Sequence, residues 1–140
     1  MKLTALFAVL VVFIAGCASS GNNGENTATT VSDETQDCPA EYKNAEPVET
    51  ADSITYKVCS KSFSFEPSTL TVKMGKKVVL DAYSPDIPHS LVITELEVNE
   101  RLPTGQKTIE FTPAKKGEFD VICTVPGHKE AGMISKIVVE

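Results

Sequence analysis

Cys123-Thr-Val-Pro-Gly-His128-Lys-Glu-Ala-Gly-Met133 is the stretch that decides how this chain of 140 residues is interpreted. It places a thiol, an imidazole and a thioether in one short loop. Upstream, Pro88-His89-Ser90 supplies a second imidazole, and the chain has only these two histidines. Thiolate and thioether ligands suit copper(I), whereas imidazole tolerates both oxidation states of copper. The four side chains therefore predict a copper site with His89, Cys123, His128 and Met133 as ligands.

Each of these residues, taken alone, also has an ordinary structural explanation. A single free cysteine such as Cys123 behaves as a small buried hydrophobe, and Met133 could simply fill the core. His89 could be a hydrogen-bonded histidine beside an apolar strand, and the glycines of the loop could serve a turn. Their joint occurrence at these spacings favours the metal site.

The first sixteen residues have the proportions of a lipoprotein signal peptide. Lys2 precedes an apolar run over residues 3–14, which is shorter than the about 20 residues of a membrane-spanning helix. Ile14-Ala15-Gly16-Cys17 resembles a bacterial lipobox, in which Cys17 carries the lipid. The alternative is an ordinary secretory signal followed by an unrelated cysteine. We expect a lipid anchor on the extracytoplasmic side, in a periplasm or on the outer face of the cytoplasmic membrane.

Residues 17–51 form a segment that is polar, acidic and nearly free of aliphatic side chains. Such a composition cannot bury enough apolar area to offset its ordering entropy, so it predicts a flexible tether. Residues 17–52 carry eight acidic side chains against Lys43 alone, whereas residues 53–140 carry eleven of each sign. The acidity therefore belongs to the tether, and nothing in the charge pattern indicates a nucleic-acid partner.

The four cysteines divide by position. With Cys17 assigned to the lipid and Cys123 to the metal, Cys38 and Cys59 remain. An even pair in an oxidising compartment is a disulfide candidate, which would attach the end of the tether to the first strand. The alternative is two free thiols, one of them exposed.

Residues 52–140 are long enough for one small domain, and strand patterns dominate them. Apolar and polar residues alternate through residues 70–74, 78–82 and 119–123, with turn residues between the segments. Such patterning predicts an all-β fold, a Greek-key sandwich or barrel of seven or eight strands. Helical periodicity is limited to a possible turn in residues 95–101.

This strand pattern predicts where the ligands lie. Phe119, Val121 and Cys123 share one face, because strand side chains alternate, so the thiol points inward from a strand end. His89 begins another strand and must arrive from across the sandwich. The apolar neighbours would exclude water and leave an uncharged rim around His128, as a docking face for partners; they are Ile87, Pro88, Val125, Pro126 and Ala131.

The spacing of His89, Cys123, His128 and Met133 resembles that of the cupredoxins, the blue copper proteins of the plastocyanin, azurin and auracyanin type. The segment Phe63–Val78, with Pro67 and Gly75, resembles the start of the same domain. The resemblance implies a mononuclear type 1 copper site with Met133 as a long axial ligand. Two positions depart from the family: Ser90 stands where many members have asparagine, and Ile122 where plastocyanin has a tyrosine.

These observations favour a one-electron carrier that is not an enzyme. Copper enzymes on this fold need further histidines or, for the binuclear centre of cytochrome oxidase, a second loop cysteine, and the chain offers neither. The alternative is a carrier or buffer that delivers copper to another envelope protein. As a carrier, we expect a monomer that exchanges electrons with redox partner proteins.

Overall fold

Buried and more exposed residues alternate along the strands of this domain. In the computed structural model, which describes residues 37–140, the strand Lys77–Ser84 buries Val78, Leu80 and Ala82 and leaves the intervening residues partly exposed. This period of two is that of a sheet with one face on the core. The ten strands of the described residues are β1 (Val48–Glu49), β2 (Ser53–Lys61), β3 (Ser64–Glu66), β4 (Thr69–Val72), β5 (Lys77–Ser84), β6 (His89–Ile93), β7 (Val98–Leu102), β8 (Gly105–Phe111), β9 (Gly117–Ile122) and β10 (Ile134–Val139).

The strands form two sheets of five. The first has the order β1-β2-β5-β8, with β3 also paired to β2, and the second has the order β4-β10-β9-β6-β7. Two pairs are parallel, β2 with β5 and β10 with β4. Each sheet buries one face against the other, so the core lies between the two layers, where Leu80, Ile93 and Ile137 are fully buried. The predicted all-β Greek-key sandwich is confirmed, with ten strands where seven or eight were predicted.

The extra strands have a common explanation. Strands β1 and β3 are only two and three residues long, too short for a periodic pattern. Strand β7 falls in the region where the sequence suggested a turn. The turn is a single 3-10 turn at Thr94–Leu96, and β7 follows as an edge strand paired only with β6. Its central residues, Asn99, Glu100 and Arg101, are at least partly exposed. Three consecutive polar residues show no apolar alternation, so the sequence did not predict this strand.

The outer face of the first sheet is covered by the segment that the sequence assigned to the tether. Val58, Cys59 and Ser60 are all buried; since neighbouring strand residues point to opposite faces, Cys59 must be covered from outside the sandwich. The cover is a disulfide from Cys38 to Cys59, with Cα atoms 6.0 Å apart. The predicted pairing is confirmed.

Tyr42 completes this cover, in a 3-10 turn at Ala40–Tyr42. Its hydroxyl donates to Asp81 Oδ1 at 2.9 Å, and its ring lies 5.3 Å from that of Tyr83. Burial, followed by the Asp81 carboxylate, raises the pKa of Tyr42 above its usual range. We call Cys38, Tyr42, Cys59 and Tyr83 the outer-face cluster. Residues 38–49 therefore pack on the domain instead of forming free tether; the rest of the predicted tether, with the signal peptide and Cys17, lies outside the described residues.

Candidate metal centre

Three of the predicted ligands meet at one end of the sandwich, which we call the metal pole. His89 is the first residue of β6, Cys123 directly follows β9, and His128 lies in the loop from β9 to β10. Strands β6 and β9 are antiparallel neighbours, with Val92 opposite Ile122. His89 therefore comes from the neighbouring strand of the same sheet, and the prediction that it arrives from across the sandwich is wrong. The start of β6 and the end of β9 therefore lie at the same end of the sheet.

The donor atoms of these residues have the spacing of a metal site. His89 Nδ1 and His128 Nδ1 are 3.2 Å apart, and Cys123 Sγ is 3.5 Å from His128 Nδ1. All three side chains are buried, and their donor atoms lie within 4.8 Å of one another. Nitrogen and sulfur ligands bound at about 2.0–2.3 Å to one ion would lie roughly 3.3–3.8 Å apart. Two of the three donor pairs are close to this spacing, so the three residues form a potential metal site.

The loop between the donors is held by its own backbone. His128 N–H donates to Val125 O at 3.0 Å, and Ala131 N–H donates to Gly127 O at 3.0 Å. Gly127 and Gly132 have φ of +84° and +97°, a region that glycine adopts without a Cβ penalty. These tight turns fix the direction in which the His128 ring leaves the loop.

Met133 closes the loop. Its N–H donates to His128 O at 2.9 Å, and its carbonyl accepts from Cys123 N–H at 3.2 Å. The residue is fully buried in the main core. Met133 is thus tied through its backbone to two of the other predicted ligands, and its role as a fourth, axial ligand stays a prediction.

Ser90 links the two strands that carry the donors. Its backbone N–H points at Cys123 Sγ, at 3.4 Å, and its hydroxyl accepts the N–H of Thr124 at 2.7 Å. These contacts fix the position of the Cys123 sulfur relative to β6. At the position where many cupredoxins have asparagine, the serine of this chain still connects the ligand segments.

Asp86 is a functional candidate that the sequence analysis did not identify. Its Oδ1 lies 3.0 Å from His89 Nε2, and its Oδ2 accepts the backbone N–H and the hydroxyl of Ser62 at 2.7 and 2.5 Å. Burial alone would raise the pKa of Asp86, but the hydrogen bonds from Ser62 and His89 hold it well below its usual range. The carboxylate is therefore an anion beside the donor set. A carboxylate three residues before a histidine was the available signal in the sequence.

Phe63 packs on the second histidine. Its ring meets that of His128 edge to face, at 5.2 Å and 87°. Its φ is +121°, which is a strained value for a bulky residue. His128 is 6% exposed, whereas Phe63 and Ile87 are each 43% exposed. The apolar rim predicted around His128 therefore includes Phe63, which comes from the other sheet and could not be inferred from spacing along the chain.

Comparison with known proteins agrees with this fold. Residues 5–139 match the family described as "Cupredoxin-like domain". The match spans more than half of the chain, which therefore belongs to the cupredoxin-like family.

Relatives by sequence include an oxidase subunit and a cuproprotein. Cytochrome c oxidase subunit 2 of Thermus thermophilus is 30% identical over 88 residues, covering 61% of this chain and 65% of that protein. The copper-resistant cuproprotein CopI of Rubrivivax gelatinosus is 29% identical over 106 residues, covering 59% and 63%. The chain thus spans less than two thirds of the length of either relative.

Solved structures show the same fold. Auracyanin A, a "blue" copper protein from Chloroflexus aurantiacus, superposes with a TM-score of 0.52 at 23% identity, over 63% of this chain and 99% of that one. The periplasmic domain of subunit II of the Bradyrhizobium japonicum cytochrome oxidase, CoxB, superposes with a TM-score of 0.54 at 19% identity, over 66% and 87%. Within residues 37–140, no helix has the length and apolar character to cross a membrane.

Proposed function

We propose that this protein is a one-electron carrier of the cell envelope with a mononuclear type 1 copper site. His89, Cys123 and His128 would be the strong ligands and Met133 the axial one. The copper ion would supply the redox chemistry, by cycling between its two oxidation states. The residues supply a dry, fixed donor set.

One observation carries this proposal: two imidazoles and one thiol, all buried, converge within 4.8 Å from two strand ends and a hydrogen-bonded loop. Copper(I) and copper(II) prefer different geometries, and a site held by rigid elements imposes one geometry on both. Little then has to rearrange when an electron arrives, which makes transfer fast. A structural zinc site usually has four strong ligands; here only three of the four donors are strong, because the thioether of Met133 would add little for zinc.

A role as an electron carrier fits this donor set better than a role as an enzyme. Both histidines of the chain belong to it, so none is left to bind a second copper. The region between Cys123 and Met133 contains no further cysteine, in contrast to the two that a binuclear copper centre needs. Binding of substrate at the metal would require displacing a buried ligand.

The cell envelope is the proposed location. The similar CoxB domain is periplasmic, the Cys38–Cys59 disulfide suits an oxidising compartment, and a lipid on Cys17 would attach the chain to a membrane. A redox protein of an electron-transport chain would dock on the apolar rim at the metal pole. The carrier would act as a monomer.

Delivery of copper to another envelope protein is the second candidate, favoured by the likeness to the copper-resistant cuproprotein CopI. Hand-over requires a ligand set that a partner can reach. Here the donors are at most 6% exposed, which favours retention of the metal and hence electron transfer.

Spectroscopy and voltammetry on the copper(II)-loaded protein test the two candidates. We expect an intense visible absorption band, a narrow copper hyperfine splitting in the EPR spectrum and a reversible one-electron wave. A colourless protein that passes its copper readily to a chelator would instead support delivery.

A further inference from the structure

The two carboxylate oxygens of Asp86 contact different residues near the donor set. Oδ1 lies 3.0 Å from His89 Nε2, and Oδ2 accepts two hydrogen bonds from Ser62. Ser62 directly precedes Phe63, whose ring lies against His128. Asp86 therefore contacts His89 directly. It also contacts the residue that precedes Phe63, whose ring covers His128.

We propose that Asp86 is a positioning residue for both histidines: one carboxylate oxygen orients the His89 ring, and the other holds the turn that sets Phe63 against His128. This inference rests on the proposed function, in which both histidines bind copper.

The contact with His89 determines which ring nitrogen faces the metal. A carboxylate next to Nε2 accepts its proton, so Nδ1 keeps a free lone pair directed at Cys123 and His128. The His89 side chain is fully buried and that of Asp86 is 8% exposed, so water competes little for this hydrogen bond. An anion at this position also favours the more highly charged, oxidised metal.

The contact with Ser62 stabilises an unfavourable turn. Lys61 and Ser64 are paired in the β2–β3 hairpin, so Ser62 and Phe63 are its two turn residues. A positive φ at the second position of such a turn normally requires glycine, yet Phe63 adopts +121°. The strain persists only if the surroundings enforce it, and both donors of Ser62 are fixed on Asp86.

The first test compares Asp86→Asn with Asp52→Asn in the copper-loaded protein. Asp52 is exposed and directly precedes β2; the nine residues of this strand, roughly 30 Å, separate it from the Ser62 turn. The two variants therefore lose the same charge in different places. Asp86→Asn should release copper to a chelator about 10–100-fold faster and shift the reduction potential to a more positive value, whereas Asp52→Asn should match the wild type. Unchanged release and potential in Asp86→Asn would overturn the proposal.

The second test needs no metal. Long-range proton–nitrogen NMR spectra of the wild-type apoprotein should show His89 protonated at Nε2. Protonation at Nδ1 would refute the positioning role even if Asp86→Asn failed to fold. Because this spectrum does not depend on copper, it separates failure of the positioning inference from failure of the proposed copper chemistry.

Ser62→Ala separates the two contacts. It removes the hydroxyl bond to Oδ2 and leaves the Asp86–His89 contact in place. We expect altered ring resonances for His128 and Phe63 with the His89 tautomer retained, whereas Asp86→Asn should alter both histidines. If His128 responds to neither variant, Asp86 positions His89 alone and the two-histidine proposal is wrong.

Discussion

The metal pole and the outer-face cluster both bring distant parts of the chain together, by opposite means. At the metal pole, the donors are fixed by hydrogen bonds between strand ends and within one loop, from Ser90, Asp86 and the loop backbone. On the outer face, one covalent bond and two packed tyrosine rings hold a short polar segment against the first sheet. The first arrangement defines an atomic geometry, whereas the second restricts only where a segment lies.

The difference has a thermodynamic reason. A metal site requires donors placed to within a fraction of an ångström, so each donor needs several directional contacts. A polar segment needs only enough free energy to offset its ordering entropy, and a disulfide provides this by restricting the unfolded chain. Changes at the metal pole should therefore alter chemistry with little effect on stability, and changes in the outer-face cluster should do the reverse.

Cys123→Ser should have the largest effect. The hydroxyl of serine is a poor copper ligand, so the variant should lose the visible absorption and nearly all affinity for copper. The hydrogen bond from Ser90 can persist to the smaller atom, so the sandwich should still form. Absorption, metal content and far-UV circular dichroism check these expectations; a variant that stays blue would contradict the ligand assignment.

The double variant Cys38→Ala/Cys59→Ala should destabilise the fold and spare the metal site. Opening a disulfide between residues 21 apart in sequence costs about 3 kcal/mol on the chain-entropy estimate. Denaturant unfolding of the apoprotein measures this loss, with the reduced wild type as control. A changed visible spectrum in the folded double variant would show that the two regions are coupled, contrary to the comparison.

Met133→Leu should keep copper and change its reduction potential. Leucine and methionine have similar volumes, so the cost in stability should stay below about 1.5 kcal/mol. Loss of the thioether should raise the potential, because the more highly charged oxidised metal loses more than the reduced one when an electron-pair donor is removed; the axial ligand tunes the potential of such sites. Voltammetry and metal content distinguish the outcomes, and a variant emptied of copper would contradict an axial role.

Asp37→Asn should have the smallest effect. Lys43 and Lys61 hold the pKa of Asp37 well below its usual range. Its contribution to stability is therefore present above about pH 3.9, the ordinary pKa of an aspartate, and is lost as the pH falls through the lower folded-state pKa. Since these side chains are partly exposed to solvent, we expect a small, salt-sensitive decrease in the unfolding midpoint at neutral pH. The difference from wild type should shrink in acid; a difference that grows there would contradict this explanation.

Much of the fold and of the donor set could be predicted from the sequence, because the relevant signals are local. Alternation within residues 70–82 indicates which face of a strand is buried. The spacing from Cys123 to Met133 places three candidate ligands in a single loop. The outer-face segment was different. Its average composition is that of a tether, and its contacts with the first sheet come from the Cys38 disulfide, Tyr42 and the pairing of β1 with β2.

The contacts around the histidines could not be predicted in the same way. Ser62 meets Asp86 across 24 positions of sequence, and Phe63 reaches His128 from the opposite sheet. Such pairings depend on how the two layers are stacked, which no periodicity in a single segment specifies. Edge strand β7 was missed because its exposed polar residues interrupt the apolar pattern.

The position of β10 has a consequence for how the molecule is made. This strand follows Cys123, His128 and Met133 in the chain, yet it lies inside the second sheet, between β4 and β9. The ribosome must therefore have released β10 before that layer can close, and pairing it with β4 joins residues more than sixty positions apart. Such distant pairing is slow to form. A chain in which β10 has not yet paired therefore lacks the closed layer that holds its thiol and imidazoles in one pocket.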